Sequence, residues 1–256
     1  MRVMNGKSDY IAVFDSGLGG ISVLRELVRI LPNERFLYFG DSANAPYGNR
    51  TTQQVKELTL KAAQTLIDRG VKALVIACNT ATAAAITTLR ETYPDLVIVG
   101  IEPALKTAAA RFPGGRIGVM ATKITLQEEK FSRQLERFPN EQIFRIPAPG
   151  LVELVEAGKA DSPETEELLC KLLAPYVGKL DALVLGCTHY PFVQKTIVKI
   201  MGEEVCLLDG GAGTARQTKR CLEQAGLLRE GQGSVELESS SQQPEVLHRA
   251  MMLLQG

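Results

Sequence analysis

Eight short apolar runs, separated by longer stretches of helical spacing, leave this chain few folds to choose from. The runs at 10–14, 36–39, 74–77, 97–99, 117–120, 143–146, 182–185 and 205–208 are apolar almost continuously rather than alternately. That is the pattern of strands buried on both faces. Between them lie amphipathic segments. Residues 53–69 place Val55, Leu58, Ala62 and Leu66 on one face, Thr51 and Gln54 fit a capping box ahead of it, and Gly70 closes it. Thr125 with Glu128 fits a second box, and Ser162-Pro163 has the cap-then-proline order of a helix start. Strand and helix in alternation predict an α/β fold with largely parallel sheets. In the tail, Val235 and Leu237 predict a short edge strand within the polar stretch 229–243, and 244–254 predicts a last helix.

The alternation also repeats. "ALVIACNTAT" from Ala73 and "ALVLGCTHYP" from Ala182 share the order strand, small residue, cysteine, polar hydroxyl, helix. "IAVFDS" from Ile11 resembles "IGVMAT" from Ile117, and "VIVGIEPA" from Val97 resembles "VCLLDGGA" from Val205. Three blocks at nearly constant offset predict a duplicated unit, hence two pseudo-symmetric three-layer α/β lobes. In parallel sheets ligands bind beyond the carboxyl ends of the strands. Cys78 and Cys187 both sit at such ends, and facing lobes would put them in one cleft between them. Two thiols on either side of a substrate carbon can take a proton from one face and return one to the other. The plain alternative is that both are packing cysteines.

Composition narrows the partners. The 256 residues suffice for one large domain or two lobes, and 29 basic residues balance 29 acidic ones. No basic stripe points to nucleic acid or an anionic membrane surface. No apolar run is long enough to span a membrane, and the opening MRVMNGKSDY lacks the apolar core of a secretory signal. The five cysteines, Cys78, Cys170, Cys187, Cys206 and Cys221, show no C-x-x-C spacing. They suit a reducing cytoplasm rather than a disulfide framework or a zinc site. Cys170, Cys206 and Cys221 fall inside element patterns and read as packing. Two histidines, His189 and His248, argue against a histidine-rich metal site.

The blocks "VFDSGLGG", "APYGNRT", "ACNTAT", "LVELVEAG" and "LGCTHYP", spread over residues 11–226, resemble the glutamate racemases of the aspartate/glutamate racemase family. The resemblance implies a cytoplasmic, cofactor-independent isomerase that supplies D-glutamate for peptidoglycan, the bacterial cell wall polymer that sets cell shape. It implies that glutamate is the small-molecule substrate and that the chain forms a homodimer. It implies a discontinuous first lobe, 1–98 with 209–256, and a second lobe, 99–208. It implies that Cys78 takes the proton from D-glutamate and Cys187 takes it from L-glutamate. Two positions depart from the family pattern: Asn44 stands where many members have Arg, and "DGGAGTA" replaces a more usual Asp-Ser-Gly-Ala-Glu-Thr-Ala. With about ten residues ahead of the first strand, control by wall precursors through an N-terminal extension is not expected.

The remaining candidates each carry a plain reading. Asp15 fits a polar partner for Cys78 or for the substrate ammonium, or a simple turn residue. His189 fits a proton partner for Cys187, or a satisfied structural histidine. Glu156 fits a second-rank catalytic carboxylate, or a solvated helix face. Ser16, Asn79, Thr80 and Thr188 offer hydroxyls and amides near helix N-termini, where carboxylates bind, but such residues are also common caps. Thr122 joins them as the end of the "IGVMAT" block. Tyr47-Gly48 reads as turn chemistry, while the resemblance implies substrate contact. Gly17-Leu18-Gly19-Gly20 is not a phosphate loop, since no G-K-[ST] follows; close approach to a small substrate explains it as well. A thiol redox protein and a two-lobed binding module without chemistry are the rival readings. Reversible disulfide formation marks the first and glutamate binding without α-hydrogen exchange the second.

Overall fold

In the computed structural model, residues 8–101, 104–127 and 129–255 are described. The chain up to Ile101, together with the chain from Gly211 onward, forms one compact unit, and the stretch ending at Gly210 forms a second. The first unit runs β1 (Ser8–Asp15), α1 (Ile21–Ile30), β2 (Arg35–Gly40), α2 (Thr52–Asp68), β3 (Val71–Ile76), α3 (Asn79–Thr92) and β4 (Val97–Gly100). The second runs α4 (Leu105–Arg111), β5 (Arg116–Ala121), α5 (Lys123–Gln127), α6 (Glu129–Leu135), β6 (Gln142–Pro147), α7 (Leu151–Glu156), α8 (Pro163–Leu173), β7 (Ala182–Leu185), α9 (Gln194–Met201) and β8 (Cys206–Asp209). The chain then returns to the first unit with α10 (Gly211–Ala225), β9 (Ser234–Ser239) and α11 (Pro244–Gln255).

Every strand pair is parallel, and every predicted strand is present. The first sheet has the order β4-β3-β1-β2-β9 and the second β6-β5-β7-β8. Right-handed crossovers fix where the helices go. The chain leaves β1 toward β2 but leaves β3 toward β4, in opposite directions along the sheet. The crossover helices therefore fall on opposite faces: α1 packs with α10 and α11, and α2 packs with α3. All six residues of β3 are buried, as a strand covered on both faces requires. In the second unit the side-chain alternation is visible directly. Ile117, Val119 and Ala121 enter one apolar cluster with α4, while Met120 enters the other with Leu151, Leu169 and Tyr190.

The duplication holds at the level of register. Ile11 pairs with Ala73 and Phe14 with Ile76; Ile117 pairs with Ala182 and Met120 with Leu185. The third block is corrected by one residue: Ala73 pairs with Val97, but Ala182 pairs with Cys206, so Val97 corresponds to Cys206 and not to Val205. In each sheet the strand order reverses between the pair β1/β3 or β5/β7. The carboxyl ends of these strands form the crevice where ligands bind in open α/β sheets.

Local signals explain the helix ends. Thr51 accepts from the Gln54 N–H and Gln54 returns a bond to the Thr51 N–H, closing the predicted capping box. Gly70 follows α2 with φ of 78°, the left-handed turn that a Cβ disfavours. Ser162 caps α8 with Pro163 at its start. The second predicted box is replaced: Thr122, not Thr125, caps α5 by accepting from the Thr125 N–H, because Thr125 lies inside the helix. Glu128 lies outside the described residues, as do Glu102-Pro103 of the third block and most of the N-terminal stretch. Cys170 is exposed on α8, so it is not a packing residue. The tail strand β9 is the sheet edge, paired along β2, and Arg69 clasps its Glu238 through two bonds of 2.7 and 3.0 Å.

Candidate active site

At the β1/β3 crevice the first unit gathers Asp15, Ser16, Cys78, Asn79 and Thr80, all buried. β3 ends at Ile76, and Cys78 becomes the N-cap of α3, with Sγ accepting from the Ala81 N–H at 3.4 Å. A sulfur there replaces the usual cap oxygen and sits where the helix dipole favours negative charge. Cys78 Sγ also lies 3.5 Å from Ser16 Oγ. Asp15 Oδ1 accepts the Gly17 N–H at 3.0 Å, so the turn role expected of it is real, while α1 is capped by Gly20 without a side-chain bond. Within the glycine run, Gly20 is explained by packing around Asp15. A Cβ on Gly20 would stand 2.5 Å from the Asp15 Cβ. Asn79 Oδ1 is buried without a hydrogen-bond partner among the described residues, an expensive state for a polar atom.

Beside this crevice the chain turns through two short 3₁₀ segments, Ser42–Asn44 and Tyr47–Asn49. Tyr47 is buried, its ring tilted against Phe14 with centroids 6.4 Å apart, and its hydroxyl donates to Asp41 Oδ2 at 2.7 Å. Burial and the Asp41 bond push the phenol well above its ordinary value. The Tyr47 hydroxyl is thus committed inside the protein, and Gly48 is the half-buried part of the turn.

At the β5/β7 crevice the second unit gathers Thr122, Cys187, Thr188 and His189. Cys187 is not followed directly by an α-helix. Its carbonyl accepts the Tyr190 N–H, and a 3₁₀ turn at Tyr190–Val193 intervenes before α9. Pro191 fits the start of that turn, since it has no N–H to offer a preceding turn. Cys187 Sγ lies 3.6 Å from His189 Nδ1, and His189 Nε2 lies 2.6 Å from Glu156 Oε1. Glu156, at the last position of α7, is therefore not a solvated helix face; its side chain is 18% exposed. Burial opposes charge on the ring, but the bonds to Cys187 and Glu156 outweigh it and hold His189 well above the usual histidine range. Thr122 Oγ1 is bound to Thr125, and Thr188 is buried next to the thiol.

Two buried residues of these crevices escaped the sequence. Asp41 follows β2 as Asp15 ends β1, an acidic residue at a strand's carboxyl end, and that pattern was the available signal. Tyr190 is fully buried, with a phenol pushed up by burial; a single aromatic after a cysteine gives no warning. Among the described residues no group of three or more His, Cys, Asp or Glu side chains could hold a metal ion, and no helix is long and apolar enough to cross a membrane.

Known proteins share this frame. The sequence model of the Asp/Glu/hydantoin racemase family matches residues 11–218. A glutamate racemase of Clostridium perfringens is 44% identical over 253 residues, covering 97% of each chain. The crystal structure of glutamate racemase isoform RacE1 from Bacillus anthracis superposes with a TM-score of 0.88 at 30% identity, covering 98% of this chain and 95% of that one. The glutamate racemase of Francisella tularensis, solved in complex with D-glutamate, gives 0.86 at 28% identity and covers 98% and 95%. A match over most of the length, in sequence and in fold, places this chain in the Asp/Glu/hydantoin racemase family, as an amino-acid racemase.

Proposed function

We propose that this racemase interconverts L- and D-glutamate with two thiols and no cofactor. Cys78, as thiolate, takes the α-proton of D-glutamate. The S–H bond forms as the C–H bond breaks, and the electron pair stays on the α-carbon. Cys187, as thiol, then delivers its proton to the opposite face and is left as thiolate. The reverse direction exchanges the two roles. His189, backed by Glu156, holds or releases the proton that Cys187 exchanges, and Asp15 with Ser16 serves the Cys78 side. The observation that carries this reading is the recurrence of the same strand–cysteine–hydroxyl arrangement, in the same register, in both units.

Glutamate is favoured as substrate by the Francisella relative's complex with D-glutamate. Two carboxylates need several N–H and O–H donors, and Ser16, Thr80, Thr122, Thr188, Gly48 and the start of α3 supply them. The unpaired Asn79 Oδ1 suits the substrate ammonium. The product would serve as the D-glutamate source for peptidoglycan, and the active protein would be a cytoplasmic homodimer. The test is a chirality assay on both enantiomers of glutamate and aspartate after dialysis against chelator. The proposal expects inversion of glutamate with aspartate inert. Inversion of aspartate alone, or activity that returns only with metal or pyridoxal phosphate, contradicts it.

A further inference from the structure

We infer that Asp41 is a positioning residue, holding the 45–49 turn in place for the substrate by way of Tyr47. This rests on the reading above that the turn contacts glutamate. Asp41 is 5% exposed and Tyr47 is 1% exposed. The Asp41 N–H donates to the Asp15 carbonyl at 2.9 Å, which extends the β1–β2 ladder one residue past the Asp15–Gly40 pair. The carboxylate is thereby fixed to the strand end that carries Asp15. It accepts the Tyr47 hydroxyl on Oδ2 at 2.7 Å, and the Asn44 amide on Oδ1 at 3.0 Å and Oδ2 at 3.1 Å. The Asp41 carbonyl accepts the Asn44 N–H, and the Asn44 carbonyl accepts Arg50 Nε at 2.8 Å.

These bonds tie both arms of the loop to one buried carboxylate. The Tyr47–Asn49 segment is pressed against α3, the helix that Cys78 caps. The Tyr47 O–H proton is spent on Asp41 and the side chain is buried, so what Tyr47 contributes is the placement of the adjacent Gly48 backbone. Bonds from neutral donors to a buried carboxylate are among the stronger ones a fold makes. A shift of the turn by a fraction of an ångström would be felt first in substrate affinity, with the thiols untouched.

The experiment measures kcat and KM for glutamate in a double-mutant cycle. Asp41→Asn removes the negative charge that strengthens the Tyr47 and Asn44 bonds and turns the acceptor at Oδ1 into a donor facing the Asn44 amide. It should raise KM about tenfold, the effect of one charge-assisted bond, with kcat within about threefold of the parent. Tyr47→Phe should do the same, and the double variant should be no worse than Tyr47→Phe alone. The exchange Asp41→Asn with Asn44→Asp restores a partner to every group and should recover most of the affinity. Losses that multiply in the double variant, or a KM unmoved by Asp41→Asn, overturn the inference. If Asp41→Asn does not fold, the exchange variant and Tyr47→Phe decide: a raised KM in the first with none in the second contradicts it. Gly48→Val separates the two readings. If it leaves KM unchanged, the turn does not contact substrate and both fall. If it raises KM while the Asp41 and Tyr47 variants do not, only the role of Asp41 falls.

Discussion

Cys78 and Cys187 occupy equivalent places in a duplicated frame, yet their surroundings share almost nothing. Cys78 caps the 14-residue α3 and meets a backbone N–H and the Ser16 hydroxyl. Cys187 meets a 3₁₀ turn and a histidine–glutamate pair. The first thiol has a helix dipole, the Ala81 N–H as donor and the Ser16 oxygen as acceptor at hand; the second has a titratable partner in place of the dipole. Duplication preserved the placement of the sulfurs, which the strand register dictates. It did not preserve the means of handling protons, which depends on single side chains outside the strands. On the proposed mechanism each thiol is the base for one enantiomer and the acid for the other, so the two faces can use two different devices.

The comparison can be broken at four levels. The largest effect belongs to the sulfurs. Cys78→Ser and Cys187→Ser should each cut kcat in both directions by about a hundred- to ten-thousandfold, because a serine hydroxyl cannot replace a thiolate base. Near-normal racemisation by either variant, followed by circular dichroism, would remove that thiol from the mechanism. Next is Glu156→Gln, which takes the charge from the partner of His189. A loss of about tenfold or more in kcat/KM is expected from a buried charge-assisted bond. The equilibrium constant between enantiomers is unity, so kcat/KM must fall equally in both directions.

Smaller again is Ser16→Ala on the Cys78 side, with about a threefold loss for a neutral contact. A Ser16 effect equal to that of Glu156→Gln would erase the asymmetry drawn here. The last effect is on stability. The folded-state pKa of His189 lies above its unfolded value near 6.5, so its pairing stabilises fully below about pH 6.5 and is lost as pH rises through the folded value. The melting temperature difference between the parent and Glu156→Gln should therefore be widest at low pH and narrow as pH rises. Ring NMR, with only His189 and His248 to assign, should show the His189 titration move down in the variant.

The frame was legible because it depends on patterns. Continuous apolar runs mark doubly covered strands, and the blocks at Ile11, Ala73, Ile117 and Ala182 fell into matching register because both sheets use the same strand order. Where the sequence misled, a single residue decided. The shift from Val205 to Cys206 is invisible in a run of apolar letters, since neighbouring registers look alike until a partner strand selects one. The turn after Cys187 depends on Pro191 rather than on periodicity. Glu156 stayed open between a catalytic carboxylate and a solvated helix face, because a position on a short helix does not reveal that a histidine 33 residues away reaches it. Asp41 is a similar case: its place just past β2 echoes Asp15, but the bonds converging on it are not legible in the sequence.

The division of labour between the thiols is tested most directly by running the two serine variants in deuterium oxide and following label at the α-carbon of each enantiomer. Cys78→Ser keeps Cys187, so deuterium should enter L-glutamate slowly with retention of configuration and should not enter D-glutamate. Cys187→Ser should show the mirror pattern. Label entering D-glutamate in Cys78→Ser, or L-glutamate in Cys187→Ser, would contradict the assignment of one thiol to each face.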